Sequence, residues 1–212
     1  LARIIRTAEF FKRNYPNSDP AYQERFLKSA NRIYDEIMRL DSVVDFLLSY
    51  AKSNIGFVDI NVKELIENLF YNEYQPIFQK ENIKVEVIFD ETLIINHNQK
   101  FFEDIFENLI SNSIKSLQSN ESKKRIKCSE KIEGNQFIIH FSDNGGGILE
   151  EDKERIFNIY FTRTAEQGGA GIGLYAVKTR IKAMKGSIEV VENEFKPTGA
   201  TFKIVLPFAA KN

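Results

Sequence analysis

Asp143-Asn144-Gly145-Gly146-Gly147-Ile148 sets a carboxylate beside a flexible glycine run, and Gly169-Ala170-Gly171-Ile172-Gly173-Leu174 adds a second run a short way downstream. Asp143 closes the apolar stretch Phe137-Ile138-Ile139-His140-Phe141-Ser142, which reads as a strand, so a sheet would hold the acid rigidly. Glycine adopts positive φ and lets main chain approach a ligand closely. The second run leads into the helical pattern Leu174-Tyr175-Ala176-Val177-Lys178, whose first N–H groups are free to face an anion. A fixed acid and an anion-receptive helix start are what a nucleotide needs.

Two other phosphate motifs fail on the letters. A Walker loop requires Lys and Ser or Thr after its last glycine, and here Gly173 is followed by Leu174-Tyr175. A dinucleotide fingerprint requires a third glycine where this chain has Glu150 or Leu174.

The element that must position a metal and phosphates is a helix. Phe101, Phe102, Ile105, Phe106, Leu109, Ile110, Ile114 and Leu117 recur at helical spacing, with Asn98 as N-cap. Asn108, Asn112 and Lys115 stand at i, i+4 and i+7 on one face, where an ordinary surface helix favours Glu or Lys over Asn. Amide oxygens and an ammonium suit magnesium, which takes few protein ligands and keeps phosphate oxygens and water.

These segments, in this order, resemble the boxes of the GHKL ATPase superfamily. Asn108-Leu109-Ile110-Ser111-Asn112-Ser113 resembles the N-box, Asp143–Ile148 the first glycine box, Arg155–Thr162 the F-box and Gly169–Leu174 the second glycine box. Pro197-Thr198-Gly199-Ala200-Thr201-Phe202, running on to Pro207, is similar to the closing hairpin of sensor histidine kinases. The resemblance covers roughly residues 57–208. It implies ATP and Mg2+ as ligands, with Asp143 accepting the adenine amino hydrogen and Thr201 supporting that contact through water. By the same resemblance Gly145 and Gly147 bed the base and sugar, and Asn108 ligates magnesium. Asn112 touches metal or phosphate, Lys115 binds phosphate, and Gly171, Gly173 and Leu174 belong to the lid region at the phosphates. Arg163, in the short lid, is a further phosphate contact.

Position 108 separates branches of the superfamily. Gyrase-like and chaperone-like ATPases carry a glutamate there as general base, and the Asn108 amide cannot take a proton near neutral pH. Glu107 points about 100° away around the helix. The implied activity is therefore transfer of the γ-phosphoryl to a histidine, then relay to the receiver domain of a response regulator. An ATP-driven clamp, or a non-catalytic dimerisation scaffold with a degenerate site, are the alternatives. A serine kinase of the anti-sigma type would share the ATP site without needing the hairpin described next.

Phe26, Ala30, Ile33, Ile37, Leu40, Val44, Leu47 and Ala51 alternate steps of four and three, a heptad seam; Leu1, Ile4, Ala8, Phe11 and Tyr15 repeat the rhythm before the breaker Tyr15–Pro20. The expectation is an antiparallel hairpin over 1–54 that pairs with a second copy as a four-helix bundle, a homodimer. This hairpin resembles the dimerisation and phosphotransfer module of sensor kinases, lacking the acceptor-histidine segment. The two histidines, His97 and His140, lack that setting, which leads to the expectation of a piece beginning just after the acceptor.

Residues 57–209 are expected to form the ATP-binding domain: an α+β fold, a two-layer α/β sandwich with a mixed, mostly antiparallel sheet. Helices are predicted near 62–76 (capped by Asn61 with Glu64), 99–119 and 174–185, and strands at 83–89, 125–131, 136–142, 186–192 and 200–206. With 29 Lys and Arg against 30 Asp and Glu, nothing suggests nucleic-acid binding. No apolar run reaches the ~20 residues of a membrane span, and Cys128 stands alone without a disulfide or zinc pattern, so a cytoplasmic setting is expected.

Overall fold

The computed structural model describes residues 56–90, 93–118, 123–162 and 171–207, together with the helical positions Glu24, Lys28, Ile37, Leu40, Val43, Val44 and Leu47. The remainder of the predicted hairpin, Arg163, Gly168, Gly169 and Ala170 lie outside the described residues. The chain divides into two compact units, Leu1–Ala51 with Ile159–Ile172, and Lys52–Asn158 with Gly173–Asn212.

The larger unit opens with β1 (Val58–Asn61) and α1 (Val62–Asn68), where the Asn61 side chain accepts the Glu64 N–H at 3.2 Å as predicted for its cap. The helix expected over 62–76 is interrupted. A π-turn occupies Leu69–Glu73, and α2 (Gln75–Lys80) then starts afresh. Pro76 sits in the first turn of α2, where its missing N–H costs nothing; inside a continuous helix it would clash with the preceding turn.

Strands β2 (Ile83–Ile88) and β3 (Ile94–His97) lead to α3 (Gln99–Leu117), whose start is capped by Asn98 accepting the Phe101 N–H at 2.9 Å. Then come β4 (Lys124–Glu133), β5 (Gln136–Asp143), single 3-10 turns at Glu150–Asp152 and Arg155–Phe157, α4 (Gly173–Ala183), β6 (Ser187–Val191) and β7 (Ala200–Pro207). The main sheet has five strands in the order β2-β4-β5-β7-β6, with β2 parallel to β4 and the other pairs antiparallel, so the sheet is mixed as expected. β1 and β3 form a separate antiparallel pair that the periodicity did not reveal.

Strand alternation decides what faces the helices. Phe137, Ile139, Phe141 and Asp143 share one face of β5, and Phe141 lies 6.4 Å from Phe106 of α3 and 6.2 Å from Phe70. Burying each such ring contributes about 1.5–3 kcal/mol, which fixes α3 against the strand that carries the acid. Among the described residues, no helix is long and apolar enough to cross a membrane.

Candidate nucleotide site

Asp143 ends β5 with 3 % of its surface exposed. Its Oδ2 accepts the Ser113 hydroxyl at 2.7 Å, its Oδ1 accepts the Gly145 N–H at 2.9 Å, and the Ala200 main chain supplies another bond. A carboxylate offers about four acceptor positions, so one remains for an incoming N–H. Burial holds the Asp143 carboxyl above the ordinary aspartate range, and the bonds from Ser113, Gly145 and Ala200 pull the other way.

The loop after Asp143 is tied on both sides. Asn144 accepts the Arg125 N–H at 2.6 Å and donates to the Lys123 carbonyl at 2.7 Å, which extends the strand pairing one residue further. The Ser116 hydroxyl accepts the Gly146 N–H at 3.1 Å, and a Cβ at Gly145 would fall 2.2 Å from that same oxygen. Gly147 has φ +79°, and a Cβ there would fall 3.0 Å from the Gly199 carbonyl, so both glycines of the predicted bed are required by contact or conformation.

Two turns up α3, the other half of the site assembles. Asn108 Nδ2 donates one of its hydrogens to the Asp104 carbonyl at 2.7 Å, which orients the amide and leaves Oδ1 free to ligate. That oxygen would lie 2.9 Å from a Cβ on Gly173, and Asn112 Nδ2 3.8 Å from it, so the first residue of α4 meets both asparagines because it has no side chain. An amide oxygen held beside a helix start is a donor set that magnesium with bridging phosphates accepts. Lys115 is exposed one turn on, and Leu174 is half-buried in the first turn of α4. In the other unit Gly171 has φ +68°, a Cβ there would fall 2.5 Å from the Tyr160 main chain, and its carbonyl accepts the Tyr160 N–H at 2.9 Å.

Thr201 is not where its predicted role puts it. It pairs with Ser142, one residue before Asp143, and successive strand residues point to opposite faces. Its hydroxyl donates to Ser142 Oγ at 2.9 Å and accepts the Glu194 N–H at 3.1 Å, on the face away from the acid. The residue paired with Asp143 is Ala200. Support for the carboxylate comes instead from Ser113, which the sequence reading passed over along with Ser116. Their spacing of three on the N-box helix, beside Asn112, was the available signal.

One helix thus carries an acid-supporting serine and a metal-competent asparagine within two turns, over a mixed sheet. That combination defines a nucleotide-binding α/β sandwich. Residues 97–210 match the family described as histidine kinase-, DNA gyrase B- and HSP90-like ATPase, and the chain belongs to it. Signal transduction histidine-protein kinase ArlS of Staphylococcus aureus is 29 % identical over 198 residues, covering 88 % of this chain and 41 % of ArlS. The chain therefore spans about two-fifths of the length of the curated relatives it matches. The catalytic domain of histidine kinase ThkA is 25 % identical with a TM-score of 0.62, over 72 % of this chain and 96 % of that one. A structure of ThkA in complex with response regulator protein TrrA is 23 % identical with a TM-score of 0.64, over 97 % of this chain and 58 % of that chain.

Proposed function

We infer that this chain is the catalytic core of a sensor histidine kinase, binding Mg-ATP and passing the γ-phosphoryl to a histidine for relay to a response regulator. The observation that carries the reading is the single helix α3, with Ser113 on Asp143 and Asn108 at the start of α4. The remaining acceptor position of Asp143 suits the adenine 6-amino group and would meet the guanine 6-carbonyl with like polarity. Asn108 and, beside it, Asn112 are the residues that would hold magnesium, whose charge offsets that of the phosphates when bound. Lys115, the α4 N-terminus with Gly173 and Leu174, and the lid residues Gly171 and Arg163 would hold the phosphate chain.

Catalysis on this reading is positioning and charge neutralisation. The bond from the γ-phosphorus to its bridging oxygen breaks, a P–N bond forms to an imidazole nitrogen, ADP leaves, and the imidazole gives up its proton. No water-activating base stands at position 108. Glu107 is half-buried, its carboxyl raised first by burial and then by Asp104, Glu73 and Glu103. It shares its surroundings with Tyr74 rather than with Gly173. This disfavours the ATP-driven clamp, which brisk ATP turnover by the chain would revive. His97 and His140 both sit on strands, which supports an acceptor other than these.

The domains on this reading are 1–54 for dimerisation and 57–209 for ATP, in a cytoplasmic setting. The decisive test is calorimetry with a non-hydrolysable ATP analogue and its guanine counterpart. The chain should bind the adenine form alone, and Asp143→Asn should lose it by about 1.5–3 kcal/mol or more, the scale of a hydrogen bond to a charged group. Retained affinity in Asp143→Asn overturns the assignment.

A further inference from the structure

We propose that Asp104 and Arg180 act as a positioning pair for the metal side of the ATP site, an inference that rests on the function proposed above. Arg180 lies on α4 with 5 % of its surface exposed, and its guanidinium nitrogen approaches Asp104 Oδ2 of α3 at 2.6 Å. Arginine is rarely this buried without a specific partner. Its guanidinium also lies 5.9 Å from the Phe101 ring, and Lys100 reaches Asp104 Oδ1 at 3.0 Å.

The pair is placed where it governs the distance that matters. Asp104 stands one turn before Asn108, and Arg180 two turns after Gly173. The bridge therefore spans α3 and α4 about one turn along α3 and two turns along α4 from the point where Asn108 Oδ1 meets the α4 N-terminus. The Asp104 carbonyl is itself the acceptor that orients the Asn108 amide, at 2.7 Å. One residue thus sets both the rotamer of the metal ligand and, through its carboxylate, the approach of the opposing helix.

Well-packed apolar residues would hold two helices together equally well, because burying an ion pair costs desolvation. What a planar guanidinium on a carboxylate adds is a defined direction. A sliding or rotated α4 would move Gly173 away from Asn108 while keeping a sound core. The charged pair excludes those alternatives, and the consequence falls on magnesium and phosphate rather than on the adenine end.

The test compares the wild-type chain with Asp104→Asn and Arg180→Gln, titrating a non-hydrolysable ATP analogue by calorimetry in magnesium and again in EDTA. Circular dichroism and thermal unfolding verify that each variant is folded. The expected result is that the gain in affinity due to magnesium falls about tenfold in both variants, the size of a typical coupling free energy. Affinity in EDTA should stay within about twofold, and the double variant should be no worse than either single one, since contacting partners are non-additive. An unchanged magnesium gain, or an equal loss with and without magnesium, overturns the proposal. Asp104→Asn keeps volume and main chain, and it decides the matter alone if Arg180→Gln does not fold. A wild-type chain that binds no nucleotide overturns the ATP reading itself, which separates the two failures.

Discussion

Asp143 is a strained acid in the electrostatic sense, because it is buried above its ordinary range and kept usable by three donors. An adenine amino group needs the ionised oxygen, so nucleotide affinity should fall as pH drops, beginning at a higher pH than an ordinary aspartate would give. The unliganded fold shows the opposite sign. A carboxyl with a raised native pKa binds its proton more tightly folded than unfolded, so its contribution to stability declines as pH rises through that interval. Ser113→Ala removes a donor to the charged form and should shift the acid limb of binding to still higher pH, with a loss of about 1.5–3 kcal/mol at neutral pH. Calorimetry across pH measures this, and an unmoved limb would remove Ser113 from the site. Asp143, Gly145 and Asn108, the residues proposed for the site, stand out in the letters because each is unusual where it stands. Ser113 and Ser116 stand out less, since a helical serine commonly points to solvent or bonds its own main chain, and their spacing of three is a weaker signal than an unusual residue type. Thr201 was misread because a shift of one residue on a strand exchanges faces.

The loop between β6 and β7 is an element whose role emerges only from contacts. Thr201, Ser142 and Glu194 form a hydroxyl and main-chain network on the sheet's outer face, and Lys127 closes on the Glu194 carboxylate. This anchors the segment that ends in Gly199, whose φ is +132° and whose missing Cβ would stand 2.0 Å from the Asp143 carbonyl. The network thus braces the proposed adenine bed from behind. Thr201→Val leaves the Glu194 N–H and the Ser142 hydroxyl without their partner and should cost about 1–3 kcal/mol in urea or thermal unfolding. Its effect on ATP affinity should be well below that of Asp143→Asn; an unaltered unfolding midpoint with abolished binding would place the hydroxyl at the nucleotide instead. Of the other elements, α3, α4 and the five strands of the main sheet were readable from periodicity and caps. β1 and β3 are too short, at four residues each, to set a pattern apart from chance. The π-turn is silent because Leu69 and Phe70 continue the apolar stripe while the main chain widens beneath them.

At the scale of the whole molecule, the heptad seam poses a question of what covers it. Its described positions Leu40, Val44 and Leu47 are 53 %, 50 % and 55 % exposed in the single chain, although their spacing is that of a helix–helix interface. Leucine and valine gain about 1.5–3 kcal/mol each on full burial, a gain a second copy of the same seam would supply by symmetry. The residues proposed to bind ATP, Asn108, Ser113 and Asp143, all fall in the other compact unit, so association and nucleotide binding should be separable. Sedimentation should accordingly report twice the 24.5 kDa chain mass. Leu40→Asp combined with Leu47→Asp should yield the single mass, because a carboxylate at a seam position must be desolvated without a partner in either copy. The monomer should bind the ATP analogue with the affinity of the dimer. A wild-type chain that stays monomeric at high micromolar concentration, or a dimer indifferent to both aspartates, would mean that the seam is satisfied within one chain. In that case phosphoryl transfer between copies would have no structural footing, whereas a seam-dependent dimer would supply the association that such transfer needs on the function proposed above.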